Sequence, residues 1–413
     1  REWLSRVKQV SSDEPVTLDR AEVVQRGGVW AVLSRGRLPG AGQWTHQYGN
    51  AANTGCSEDK LVKGPLSVLW YGEPGPGKML ARHLRAASPL SFDGRMFVQG
   101  DNVIMAYNGY NGVKLWERKI KGASYGSASS AHRGSNIAVG QHGLLVTLEN
   151  GDQCLRLDLD TGKTLNTYRL PPAPDKKPCR WGYLALVGNR LYGGRTEGTR
   201  TRSMLLTIEK SPLLARGTKF ALNNDIIFSM DVQSGKMLWT YEGKSIPPNA
   251  IAIGDGRVFL VDGNVSDKDR KAFIDQEQRE IKSLPEADRT RAGKKLASAD
   301  VRKVVALDAR SGKTIWSKTG DLNRSRGQSK SLSKDQALLY HDGSVVLFGL
   351  YLDGHWWREY FQGGFNSRRM TCLDAEHGQR LWSRNVPYFV RPLIVGNTLH
   401  AEPFAFDIRS GEP

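Results

Sequence analysis

The segment Leu307-Asp308-Ala309-Arg310-Ser311-Gly312-Lys313-Thr314-Ile315-Trp316 decides the fold. An apolar strand ends in Asp, a Gly turn follows, and a short strand closes on Trp. The Gly supplies a positive φ for a tight hairpin turn. The Asp side chain can bond turn amides. The Trp is a large apolar plug able to pack between sheets. The phrase recurs along the chain. Its other copies run Met105–Trp116, Leu157–Leu165, Met230–Trp239, Leu373–Trp382 and Phe406–Pro413, the last stopping before its Trp strand.

A second hairpin precedes most copies. Examples are Pro89–Val98 around Asp93-Gly94 and Leu184–Tyr192 around Gly188-Asn189. Others are Ile251–Leu260 around Asp255-Gly256 and Leu393–Leu399 around Gly396-Asn397. Two hairpins make a four-stranded antiparallel unit, with strands A to D. Six such units in series predict an all-β protein, a β-propeller of four-stranded blades. A sandwich of unrelated hairpins is the alternative.

The phrase resembles the repeat of the pyrroloquinoline-quinone (PQQ) propellers. These include the quinoprotein alcohol dehydrogenases and the BamB-type outer-membrane assembly lipoproteins. The stretch Gln43-Trp44-Thr45-His46 through Ser57 also looks like the opening of such domains in environmental bacteria, planctomycetes especially. The resemblance covers about residues 43–413. It is specific for fold and weakly specific for function. Such propellers usually have seven or eight blades and work in the periplasm or otherwise outside the cytoplasm.

Turn glycines fall at 112, 162, 235, 312, 378 and 411. A bare repeat needs roughly 40 residues, so several units carry insertions. The excess is placed in B–C loops, at about 194–225, 262–302 and 349–369. In a propeller these open on the same face as the connections between blades. The second insertion is rich in nearly balanced charge and has Pro285 midway. It predicts two short helices broken at Ser283–Pro285.

The ends depart from the repeat. Leu66-Ser67-Val68-Leu69-Trp70-Tyr71-Gly72 reads as a strand D with no A to C before it. It could close a six-bladed ring by pairing with the last unit. The preferred reading is a piece of a longer chain, since residue 1 is Arg and the sixth phrase halts at Pro413. Residues 1–42 lie outside the repeat. Arg1–Val10 suits a helix end and Ala21–Leu33 a β-hairpin. This region resembles the tail of a methyltransferase-like domain.

The chain has 59 Lys+Arg against 42 Asp+Glu, a net charge of +17. Residues 169–220 hold 11 basic and 3 acidic side chains. No apolar run approaches the ~18 residues of a membrane span. The four cysteines, Cys56, Cys154, Cys179 and Cys372, are far apart. That spacing excludes a haem-attachment motif or a short-spaced zinc site. Free thiols are expected, with one long-range disulfide as the alternative. Gly75-Pro-Gly77-Lys78 lacks the spacing of a phosphate-binding loop.

A quinoprotein dehydrogenase would need PQQ, a calcium shell of Glu, Asn and Asp, a catalytic Asp and, in many members, a vicinal disulfide. The disulfide is missing, and no ligand set is assignable. No cofactor is therefore expected, with PQQ and calcium as the minor alternative. The inter-blade connections instead carry Arg82, Arg85, Arg133, Arg180 with Trp181, Arg324, Arg326 and Arg391 as candidate ligand-binding residues. Guanidinium groups beside aromatic rings suit planar anions and sugars. The expected function is a binding or scaffold propeller. Its basic, loop-rich face would hold a protein partner or a polyanionic polysaccharide. Nucleic acid meets the charge requirement, but no recognition motif is present. The alternative is a polysaccharide lyase or hydrolase with a funnel site, with His83, His132, Tyr125 and Tyr388 as acid/base candidates.

Overall fold

A computed structural model describes residues 18–25, 27–35, 38–72, 78, 87–123, 135–148, 152–173, 178–197, 223–297, 299–321, 336–349, 360–363, 365–366 and 368–413. The first sheet is the hairpin β1 (Leu18–Gln25) and β2 (Val29–Arg35), as expected for this stretch. The remaining strands fall into six antiparallel sheets in chain order, the blades of a propeller.

Blade 1 is β3 (Leu90–Phe92), β4 (Arg95–Gly100), β5 (Val103–Asn108) and β6 (Lys114–Lys119). Blade 2 is β7 (Ile137–Gly140), β8 (Gly143–Thr147), β9 (Gln153–Leu157) and β10 (Thr164–Arg169). Blade 3 is β11 (Cys179–Val187), β12 (Arg190–Glu197), β13 (Asn224–Asp231) and β14 (Met237–Ile246). Blade 4 is β15 (Ile251–Gly254), β16 (Arg257–Asp262), β17 (Val301–Asp308) and β18 (Thr314–Asp321). Blade 5 is β19 (Gln336–His341), β20 (Ser344–Gly349), β21 (Arg369–Asp374) and β22 (Arg380–Asn385). Blade 6 has three strands, β23 (Leu393–Val395), β24 (Thr398–Ala401) and β25 (Phe404–Asp407). All three insertions lie between strands B and C, as their spacing predicts. The second holds α1 (Asp267–Lys282) and α2 (Glu286–Ala297), which meet at the predicted break.

The core lies between blades. Leu144 and Val146 of β8 pack with blade 1, whereas Leu145 between them packs with blade 3. Period-two alternation normally gives one apolar face. Here both faces meet neighbouring sheets, so every position of β8 is buried.

The repeated phrase explains how blades lock together. Asp308 Oδ1 accepts from the Ser311 amide at 2.7 Å, and the Gly312 amide donates to Asp308 O at 2.8 Å. Trp239, from the preceding blade, lies over this turn. Its Nε1 donates to Ala309 O at 3.0 Å. Trp116, Trp316 and Trp382 make the same bond to Leu159, Ala375 and Ile408 of the next blade. Blade 2 has no Trp in this position. Its Tyr168 hydroxyl donates to Val232 O, the equivalent acceptor. Gly312 thus has two reasons to be Gly: φ is +71°, and a Cβ would lie 2.6 Å from Trp239.

Trp70 follows the same rule against blade 1, donating from Nε1 to Gly109 O at 2.9 Å. The expected strand D around it is not formed. Residues 66–72 take no strand pairing, and Tyr71 is 95% exposed. Among the described residues no strand pairs with β25 on the edge away from β24, so the six-blade closure expected as one option is not made by this segment. The predicted helix end at Arg1–Val10 lies outside the described residues.

Candidate functional site: the propeller axis

Strand A is the outermost strand of its sheet on one side, so one of its edges has no strand partner. Unpaired backbone groups on such an edge need other partners when buried. The segment Trp44–Thr54 supplies them. Trp44 bridges Ser91 of blade 1 in both directions, at 2.9 and 2.8 Å. Thr45 O accepts from Val139 N of blade 2 at 3.0 Å. His46 Nε2 accepts from Leu186 N of blade 3 at 3.1 Å. Ala51 O accepts from Ile253 N of blade 4, Ala52 O from Tyr340 N of blade 5, and Thr54 O from Ile394 N of blade 6. In each blade the bonded residue is the penultimate one of strand A. The segment therefore visits six blades in chain order, at one level beside the A–B turns.

Its shape comes from short polar residues and glycines. Asn50 Oδ1 accepts from the Ala52 and Thr54 amides, turning the chain back on itself. Gly49 and Gly55 sit at φ +87° and +68°, and a Cβ on Gly49 would lie 2.9 Å from Cys56 O. Asn53 Nδ2 ties two blades together, donating to Ile251 O at 2.7 Å and Leu338 O at 3.0 Å.

His46 is buried, at 7% exposure. A backbone N–H can only donate, so Nε2 must present its lone pair. The proton then sits on Nδ1, 2.8 Å from Thr45 Oγ1. Burial disfavours a second proton and pushes the imidazole pKa from its ordinary 6.5 down to about 4. His46 is a neutral structural ring at physiological pH.

The site residues expected from sequence meet different fates. Arg391 lies in the connection before blade 6, as expected. Its Cζ stands 3.6 Å from the centre of the Tyr48 ring and 5.1 Å from that of Phe348. Its Nη2 donates to Asn53 O at 3.4 Å. The guanidinium does stack on an aromatic ring, but the ring belongs to the axial segment. Trp181 is buried in β11, edge-on to Phe228, with Nε1 donating to Asp152 O at 2.9 Å. Its neighbour Arg180 is also buried. Tyr388 is fully buried, its hydroxyl donating to Gly349 O at 2.6 Å beneath the Arg368 guanidinium. Burial pushes its phenol pKa up. In this structure Tyr388 is thus a core hydroxyl with a backbone partner. Arg82, His83, Arg85, Tyr125, His132, Arg133, Arg324 and Arg326 lie outside the described residues. No convergence of His, Tyr and Arg is formed by the described members of the set.

The axial segment itself was quoted from sequence only as a family-like opening. Its run of Asn, Gly and Thr marks a tight, self-bonded turn, but no local pattern says that it faces six strands.

A sequence profile described as outer membrane protein assembly factor BamB matches residues 203–413. The chain belongs to this PQQ-repeat family. BamB from Moraxella catarrhalis is 11% identical, with 81% of this chain and 76% of that chain covered and a TM-score of 0.40. A europium-containing methanol dehydrogenase is 14% identical over 90% of this chain and 84% of that one, at 0.41. Quinohemoprotein alcohol dehydrogenase from Comamonas testosteroni is 14% identical over 90% and 51%, at 0.46. These likenesses carry no information on activity. Comparison with curated protein sequences gives no match.

Among the described residues of this PQQ-repeat propeller no group of three His, Cys, Asp or Glu side chains is placed to hold a metal ion. The four cysteines are free and separate. The axis at the A–B level is filled by Trp44–Thr54. No helix among the described residues is long and apolar enough to cross a membrane.

Proposed function

We propose that this chain is a non-catalytic binding propeller that docks a protein partner on its basic, loop-rich face, outside the cytoplasm. The observation that carries the reading is the axial segment. Six blades spend a strand-A amide or carbonyl on it, and Arg391 is stacked on its Tyr48. A propeller plugged by its own chain has its outer faces left for recognition. Support also comes from the family profile, which is named for an assembly factor. The face opposite the A–B turns bears all three B–C insertions. The net charge of +17 over the whole chain suits a partner of acidic surface, drawn in by long-range attraction.

Photo-crosslinking probes at exposed Lys268 of α1 and at exposed Lys163 on the turn face, introduced in the native host, test this reading. A discrete protein adduct from Lys268 and not from Lys163, weakened by salt, is expected. The full chain should show no thermal shift with PQQ and calcium, since a native-state ligand would raise the melting temperature. A PQQ-dependent shift with quinone reduction, or adducts from neither probe, would refute it.

A further inference from the structure

A cavity of about 530 Å³ opens at the turn end of blades 1 to 3. Its size is that of small-molecule sites. It is bounded by the A–B turns of blades 1 and 2, the C–D turn of blade 2, and Gln233 of blade 3. Arg156, from β9, forms part of its wall and is only 8% exposed. Its Nη1 donates to Val232 O and Gln233 Oε1, both at 3.0 Å. No described carboxylate pairs with it, and its Nε meets no acceptor there. Burying a charge against neutral acceptors alone is costly, and a carboxylate pairs strongly with a guanidinium.

The other charges of the wall are already engaged. Arg95 holds Asp93 at 3.0 Å and Asp160 at 2.6 Å. Asp158 accepts from the Asp160 and Thr161 amides of its own turn. These three carboxylates repel a polyanion but suit a cationic group. Phe92 and Leu159 add apolar wall.

We infer that this cavity binds a small zwitterion of the amino-acid class. The ligand carboxylate seats on Arg156, the ammonium faces Asp93, Asp158 and Asp160, and the apolar body lies on Phe92 and Leu159. The site is on the turn face, separate from the proposed protein-docking face.

Isothermal titration of the full chain with L-leucine and L-phenylalanine tests the inference. Leucinamide lacks the carboxylate, and 4-methylpentanoate lacks the amine. Phosphate and a neutral disaccharide complete the panel. Leucine or phenylalanine should bind, and leucinamide about tenfold or more weakly, as a lost charge-assisted bond predicts. Arg156→Gln should show the same loss. Should that variant fail to fold, Asp160→Asn serves instead, because its side chain is 67% exposed. It should weaken leucine and leave 4-methylpentanoate unchanged or tighter. No binding of either amino acid at millimolar concentration overturns the inference. So does equal binding of leucinamide, preference for phosphate or sugar, or unaltered leucine binding by a folded Arg156→Gln protein.

Discussion

Protonating His46 should loosen the axial segment. Its imidazole accepts from the Leu186 amide through Nε2 and carries its proton on Nδ1. A second proton would have to go on Nε2 and break the bond to blade 3. Burial lowers the pKa from 6.5 to about 4, a difference worth about 3 kcal/mol at about 1.4 kcal/mol per pH unit. The folded pKa lies below the unfolded one, so the unfolded chain takes up the proton first. The contribution is fully present above pH 6.5 and is lost as pH falls from 6.5 towards 4. Between pH 7 and pH 5 the loss comes to about 2 kcal/mol. Urea unfolding at the two pH values measures it, with His46→Gln as the reference. A Gln carbonyl can accept the same amide and does not titrate. The wild type should lose about 2 kcal/mol more than His46→Gln over this interval. Equal losses in the two proteins would refute the reasoning, as would an NMR titration placing His46 near 6.5 or its proton on Nε2.

Three further outcomes are expected. Gly312→Ala should cost about 1–3 kcal/mol more than Gly256→Ala. Both residues have positive φ, at +71° and +69°, but only the first would press a Cβ into Trp239; urea midpoints decide it. Tyr48→Leu and Arg391→Leu should be non-additive by about 0.5–2 kcal/mol in a double-mutant cycle, because the guanidinium lies over the ring. Burial pushes the Cys372 thiol up to about 12 and the buried Cys154 thiol higher still. A disulfide-exchange reagent at pH 8 should therefore reach Cys56 first and these two only on unfolding, with four thiols titrating in denaturant without reductant. Fewer than four would revive the long-range disulfide.

The sequence by itself determined the blades. Leu307–Trp316 and its copies specify a hairpin through contacts less than about ten residues apart, and such local patterns are visible in a string of letters. The lengths between copies placed the insertions in B–C loops, and Pro285 marked the helix break. Tertiary structure decided where those blades leave their edges. Asn53 bonds Leu338, 285 residues away, and that pairing exists only once successive sheets have brought their inner strands together. The same assembly sets Trp239 over Gly312, which the sequence explained by φ alone. It also stacks Arg391 on Tyr48, 343 residues away in the chain. Residues 66–72 show the converse. Their strand-D pattern was legible, and Trp70 found its turn, but no strand among the described residues pairs with them. Arg156 shows the same limit at the turn face. In sequence it is one basic residue in a strand; only the packing of three blades buries it at a cavity wall with no carboxylate paired to it among the described residues.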